Sequence, residues 1–206
     1  SENIVIRYCL AKRGPGAVTC GSETAGMIRN VYMHDCVFEN TRNGFYFKTR
    51  RNRAGGGENL FFERIRMISP TNAFLWDMLG APMYVGELAN RLPARPIKRL
   101  TPLYRDISIK DIIVENCDYL IKATGIPEIP LSGVAINNMN AKCKNFIKLQ
   151  NVDGFVIVNS TIQSASPKVI MIDGRNVMLL NTKLDIPGGK LQVEASGELS
   201  RPIIRN

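Results

Sequence analysis

The 206 residues include 45% apolar and 22% charged side chains, the balance of a folded chain. That excludes a disordered tail, a collagen-like rod and a small disulfide scaffold, and no apolar run approaches the roughly 18 residues of a membrane span. Lys and Arg outnumber Asp and Glu by 27 to 18, a formal charge of +9. The expected partner is therefore a polyanion: nucleic acid, anionic lipid or acidic polysaccharide.

Ser1-Glu2-Asn3 leads straight into an apolar alternation with no leader-like stretch, so either the mature chain starts here or upstream sequence is missing. From Asn3 a short pattern recurs, starting again at Asn30, Asn59, Asp106, Gly133, Gly154 and Asn176. One position after these anchors stand Ile4, Val31, Leu60, Ile107, Val134, Phe155 and Val177. Three positions after stand Ile6, Met33, Phe62, Ile109, Ile136, Ile157 and Leu179. All fourteen are apolar, a period-2 burial signal repeated seven times. At the fifth position come Tyr8, Asp35, Arg64, Asp111, Asn138, Asn159 and Asn181. Asp and Asn tolerate left-handed backbone, so this column reads as a stacked turn.

Each repeat then supplies a second strand, from Ala17–Cys20 and Phe45–Lys48 to Tyr119–Lys122, Asn145–Lys148 and Val169–Ile172. Units this short cannot bury their faces alone; stacked, they form a continuous core, which predicts an all-β parallel β-helix of about seven coils over residues 1–206. A leucine-rich repeat would need a leucine consensus and a helical half-repeat, and the sequence has neither. One spacing is long and holds an insertion at 80–103, with Pro82, Pro93, Pro96 and Pro102 and a basic, partly aromatic character from Tyr84, Arg91, Arg95, Lys98 and Arg99. Such a loop projects from one side and shapes a cleft. The outward column Val5, Tyr32, Phe61, Ala135, Val156 and Met178 is more apolar than a solvated face, so a cover is expected: the insertion, the tail 201–206 or a second chain. No amphipathic cap precedes Asn3, and self-association through an uncapped N-terminal coil is a further expectation.

The five cysteines, Cys9, Cys20, Cys36, Cys117 and Cys143, form no C-x-x-C pair and read as buried free thiols. With one histidine, no metal or cofactor is expected. His34 should face outward, and Glu23 should bond amides of the Gly21-Ser22-Glu23 turn.

Three segments carry a family likeness: Ser1–Arg7 through Gly21-Ser22-Glu23 with Arg29-Asn30-Val31-Tyr32; Phe47-Lys48-Thr49-Arg50-Arg51-Asn52-Arg53; and Gly55-Gly56-Gly57-Glu58-Asn59. Together they resemble glycoside hydrolase family 28, the polygalacturonases and related pectin-degrading enzymes. The resemblance implies a single-stranded, right-handed, pectin-lyase-like parallel β-helix and inverting hydrolysis of α-1,4-galacturonan. It also implies a secreted or periplasmic location, because large pectins stay outside the cell. The family's three aspartates lie in Asn-Thr-Asp and Gly-Asp-Asp motifs on coils preceding this segment. This chain has no Asp-Asp dipeptide, and its Asn181-Thr182-Lys183 puts lysine in the third place, so no catalytic residue is assigned and the isolated chain is expected to be inactive. The family's Gly-His-Gly motif stands here as Gly14-Pro15-Gly16, and its Arg-x-Lys motif as Tyr46-Phe47-Lys48.

The substrate-binding candidates are Lys48, Tyr46, Arg53 and Arg50. Phe45 and Phe47 should point inward, leaving Tyr46 and Lys48 outward, with Lys122 and Lys148 in a comparable place two and three rows on. A basic column of this kind suits an acidic polysaccharide such as polygalacturonate; ordinary solvated lysines are the competing reading. No nucleic-acid motif or aromatic-basic interleaving appears, and no membrane partner is expected. A non-catalytic carbohydrate-binding or scaffold β-helix, degenerate at Pro15 and Tyr46, is the alternative function.

Overall fold

A computed structural model of the chain describes residues 1–205. The strands are β1 (Glu2–Arg7), β2 (Leu10–Lys12), β3 (Val18–Cys20), β4 (Ile28–Glu39), β5 (Asn43–Lys48), β6 (Gly56–Ile68) and β7 (Asn72–Asp77). After the insertion come β8 (Leu103–Thr124), β9 (Leu131–Val158), β10 (Thr161–Ser164), β11 (Lys168–Leu180), β12 (Lys183–Asp185), β13 (Gln192–Ser196) and β14 (Ile204–Arg205). Every pairing between them is parallel and links segments about one repeat apart. The molecule is all-β, and this row-on-row pairing is consistent with a β-helix solenoid.

The columns read from the sequence are physical columns. Ile4 lies beside Val31, Val31 beside Leu60, Leu60 beside Ile107 and Ile107 beside Val134, and Phe155 lies beside Val177. Twelve of the fourteen inward residues are buried. Ile4 and Ile6 are half-buried, because β1 pairs with β4 on one side only. Every anchor residue and every residue five positions on has positive φ, including the non-Asx members Tyr8 (φ 54) and Arg64 (φ 51). Asparagine suits these corners because its amide also bonds to the next row: Asn30 Nδ2 donates to Asn3 Oδ1 at 3.0 Å and Asn59 Nδ2 to Asn30 Oδ1 at 3.3 Å.

The interior under β5 and β7 is an aromatic stack. Phe45 and Phe74 lie parallel with centroids 5.4 Å apart, and Phe47 and Trp76 with centroids 5.0 Å apart. Tyr104 is fully buried beside them, and its hydroxyl donates to the Cys20 carbonyl at 2.7 Å and the Lys48 carbonyl at 3.2 Å.

The insertion folds as a short helix, α1 (Pro82–Val85), a 3₁₀ turn (Gly86–Ala89) and an extended run to β8. No other α-helix occurs among the described residues, so the helical half-repeat of a leucine-rich solenoid is absent. Among the described residues neither the insertion nor the tail covers the outward apolar column. The tail extends the sheet instead, with Ile204 paired beside Met178; Asn206 lies outside the described residues. The column also contains Ser108, between Phe61 and Ala135.

The five cysteines are free, but Cys9 is exposed rather than buried, because its row is paired on one side only among the described residues. Cys117 and Cys143 are in-register neighbours on β8 and β9.

Candidate functional site

The strands β3, β5 and β7, the end of β8 and the middle of β9 pair in succession to form one continuous parallel wall. On β5 the alternation holds: Phe45 and Phe47 are fully buried, so Tyr46 and Lys48 project outward, both half-buried. Lys48 Nζ lies 5.0 Å from the Tyr46 ring centroid, a cation–π contact that orients the ammonium along the wall. Burial pushes the Tyr46 hydroxyl up, with the Asp77 charge adding to it. The Lys48 backbone is fixed from beneath by Tyr104 and from the previous row by Gly21, where a Cβ would overlap the Lys48 carbonyl.

The expected single basic column is split in two. Tyr46 lies beside Leu75, Leu75 beside Lys122 and Lys122 beside Lys148. Lys48 instead lies beside Asp77 and, one row on, Thr124. Backbone positions of Lys48 and Lys122 are thus two rows and two residues apart, about 12 Å at ~4.8 Å per row and ~3.3 Å per residue. The cause is the register of the rows: Lys122 directly follows Ile121, the row-mate of Phe45 through Phe74, whereas Lys48 stands three residues after Phe45 and has Thr124 as its counterpart. An offset of two residues keeps both lysines outward, so alternation alone does not separate the two columns.

Lys122 and Lys148 are the sharper feature. They are directly opposed on neighbouring strands, an arrangement of like charges that is unfavourable unless an anion compensates it. Neither is in an ion pair among the described residues. Burial lowers the Lys122 pKa, and the Lys148 charge lowers it further. Lys122 Nζ sits 3.9 Å from the Tyr119 centroid, so the ring supports the ammonium without neutralising it. Tyr119, Leu75 and Asp77 were not singled out from the sequence. Asp77 is not a free acid: its Oδ1 accepts the amides of Leu79 at 3.0 Å and Gly80 at 2.9 Å, setting the turn into the insertion.

The three arginines after Lys48 have separate fates. Arg53 pairs with Glu23, so that carboxylate meets a guanidinium rather than the turn amides expected for it. Arg51 is buried and fully engaged. Its Nε and Nη2 grip both oxygens of Glu128 at 2.6 and 3.0 Å, and its remaining N–H groups reach the carbonyls of Leu88, Asn90 and Leu92. Burial would raise the Glu128 carboxyl; the Arg51 guanidinium, a backbone hydrogen bond and the Arg95 charge together outweigh it and hold the group below its usual range. Arg50 lies against Gly80 at the start of the insertion. Farther along, Arg91 pairs with the buried Asp173. Arg51 lies shortly after β5, Glu128 shortly after β8, and Asp173 follows the Val169–Ile172 stretch of β11 that pairs with the wall part of β9, so the insertion runs beside the wall. A cavity of about 140 Å³ between insertion and wall is lined by Arg51, Arg95, Lys98 and Glu128.

Of the remaining motif positions, the Pro15 carbonyl accepts Asn43 Nδ2 at 2.8 Å, fixing the Gly14-Pro15-Gly16 turn one row from Tyr46. His34 is half-buried, stacked on Tyr32 with centroids 4.7 Å apart and hydrogen-bonded to Asp35; it belongs to a different face. No group of three or more His, Cys, Asp or Glu able to hold a metal occurs among the described residues. No helix there is long and apolar enough to cross a membrane.

The chain is 25% identical over 141 residues to a probable polygalacturonase from Vitis vinifera, a stretch that covers 68% of this chain. It spans 27% of that relative's length. No family model matches the chain, and no solved structure matches it with significance. The similarity points, at low identity, to a polygalacturonase-like glycoside hydrolase family.

Proposed function

We propose that this chain is a right-handed β-helix portion, of about seven coils, of a polygalacturonase-like glycoside hydrolase, and that its lysine-bearing wall holds an acidic polysaccharide of the polygalacturonate type. The observation that carries the reading is the opposed pair Lys122 and Lys148 beside Tyr119, neither of them in an ion pair among the described residues. A uronate carboxylate bridging the two ammonium groups removes their repulsion, while Tyr46 and Tyr119 offer apolar surface to sugar rings. Lys48 meets a second sugar farther along the chain. Arg50 and Arg53 border the same end, with Arg53 exchanging Glu23 for substrate.

Hydrolysis with inversion needs one carboxylic acid to protonate the leaving oxygen and one carboxylate to activate water, ~6.5–9.5 Å apart. The wall's carboxylates are Asp77, which is tied to backbone amides, and Asp118, which is ion-paired with Lys144 at 2.7 Å, and nothing at Pro15 donates or accepts a proton. These 206 residues therefore bind without cleaving. Their export with the substrate class, outside the cell, is part of the same reading.

Titration with trigalacturonate, alongside an assay of reducing ends released from polygalacturonate, tests it. Saturable binding that weakens at least tenfold in the Lys122→Ala, Lys148→Ala double variant, without release of reducing ends, is expected. Absence of binding at millimolar ligand overturns the binding claim; turnover above blank overturns the claim of inactivity.

A further inference from the structure

The outward column on β4, β6 and the first half of β8 is a separate face. Phe61 is 47% exposed there, with Tyr32 beside it on one row and Ser108 on the next. The neighbouring outward column runs His34, Glu63, Lys110. Tyr32, Phe61, Glu63, Ser108 and Lys110 line a shallow trough of about 290 Å³. We propose that this trough over Phe61 is a binding site for one pyranose ring of a neutral glycan, distinct from the lysine wall.

The trough has a rigid floor and side. Tyr32 is held by its hydroxyl, which donates to Glu63 Oε1, and by the stacked His34 ring. Glu63 Oε1 also receives Arg64, which grips Asp35 through Nε at 2.8 Å and Nη2 at 2.9 Å. Three polar atoms remain around the Phe61 ring. Among the described residues Glu63 Oε2 and Ser108 Oγ take no hydrogen bond, and Lys110 Nζ has only a long 3.7 Å contact with Asp111. An exposed aromatic face ringed by a carboxylate oxygen, a hydroxyl and an ammonium matches a pyranose, whose C–H face is apolar and whose edge carries hydroxyls.

Charge and size select this occupant. Asp35, Glu63 and Asp111 offset Arg64 and Lys110, with Glu63 facing the trough, so a uronate gains nothing here that it does not gain more fully at Lys122 and Lys148. A second protein chain needs about 800 Å² on each partner, and the large apolar ledge ends at Ser108 and Ala135. The chain's own candidates are committed elsewhere: the insertion at Glu128 and Asp173, the tail beside Met178.

The test is a pair of ¹H–¹⁵N titrations on the full chain, one with galactotetraose and one with trigalacturonate. Galactotetraose should shift amides of residues 32, 61, 63, 108 and 110 and leave those of residues 122 and 148 in place. Phe61→Ala should weaken that response at least tenfold and Phe61→Tyr should keep it. Ser108→Arg, which fills the trough from the next row, should abolish it without touching Phe61. The proposal falls if galactotetraose gives no shifts at tens of millimolar, if both Phe61→Ala and Ser108→Arg bind it as the parent does, or if trigalacturonate occupies the trough more tightly. Failure of the lysine-wall reading would appear separately, as an unresponsive Lys122 strand with trigalacturonate.

Discussion

Lys122 shows how a side chain can be legible by type and misplaced by position. Its outward direction follows from period-2 alternation, yet its row-mate is Tyr46 through Leu75 rather than Lys48, because Lys122 directly follows Ile121, the row-mate of Phe45, and Lys48 stands two residues farther on. Both lysines have the same parity, so alternation alone does not reveal which residues of neighbouring rows are paired. The pH behaviour follows from the geometry. Burial, then Lys148, lower the Lys122 pKa, and a bound carboxylate favours the protonated form. Affinity for trigalacturonate is therefore complete below the free-state pKa of Lys122 and declines as pH rises through it. Calorimetry in buffers of different ionisation enthalpy should register proton uptake on binding near that pH, and none in Lys122→Arg. Raising salt should weaken binding in the parent and do so less in Lys148→Ala.

Among the elements, the insertion carries the largest gap between sequence and structure. Its prolines and basic residues are visible in the chain, but its attachment is not, because Arg51, Glu128, Arg91 and Asp173 lie far apart in sequence and meet only once the rows stack. Arg51 illustrates the difficulty: in sequence it stands between the candidates Arg50 and Arg53, and its donors are spent on Glu128 and three carbonyls. Removing one partner of such a buried pair costs about 3–5 kcal/mol, since the other charge is left without compensation. Glu128→Gln should accordingly free residues 86–100 to hydrogen exchange and to limited proteolysis while the strands stay protected. The sign with pH agrees. Glu128 titrates lower in the folded chain than unfolded, so its contribution is present above the ordinary carboxylate range and lost as pH falls through the folded value. Acid should loosen the insertion before it unfolds the sheet; a parent insertion equally protected at pH 3 and pH 7 would contradict this.

At the scale of the whole molecule, the stacked columns were legible throughout, because each left-handed corner and each inward pair recurs and the repetition filters out local noise. What was illegible were contacts made across rows by residues outside the repeat, such as Tyr104 under Lys48. The interior stack makes a stability prediction: Phe74→Ala, which removes a fully buried ring between Phe45 and Trp76, should cost about 3–5 kcal/mol by chemical denaturation. Because each row rests on its neighbours, that loss should spread to adjoining rows rather than stay local. The central claim is that one outer wall of this solenoid receives a polyuronate at its opposed lysines. Residue-resolved ¹H–¹⁵N titration with trigalacturonate addresses it most directly. Saturable shifts confined to residues 46–48, 75–77, 119–124 and 146–150, lost in the Lys122→Ala, Lys148→Ala chain, are predicted; shifts centred on another face, or none at millimolar ligand, would contradict it.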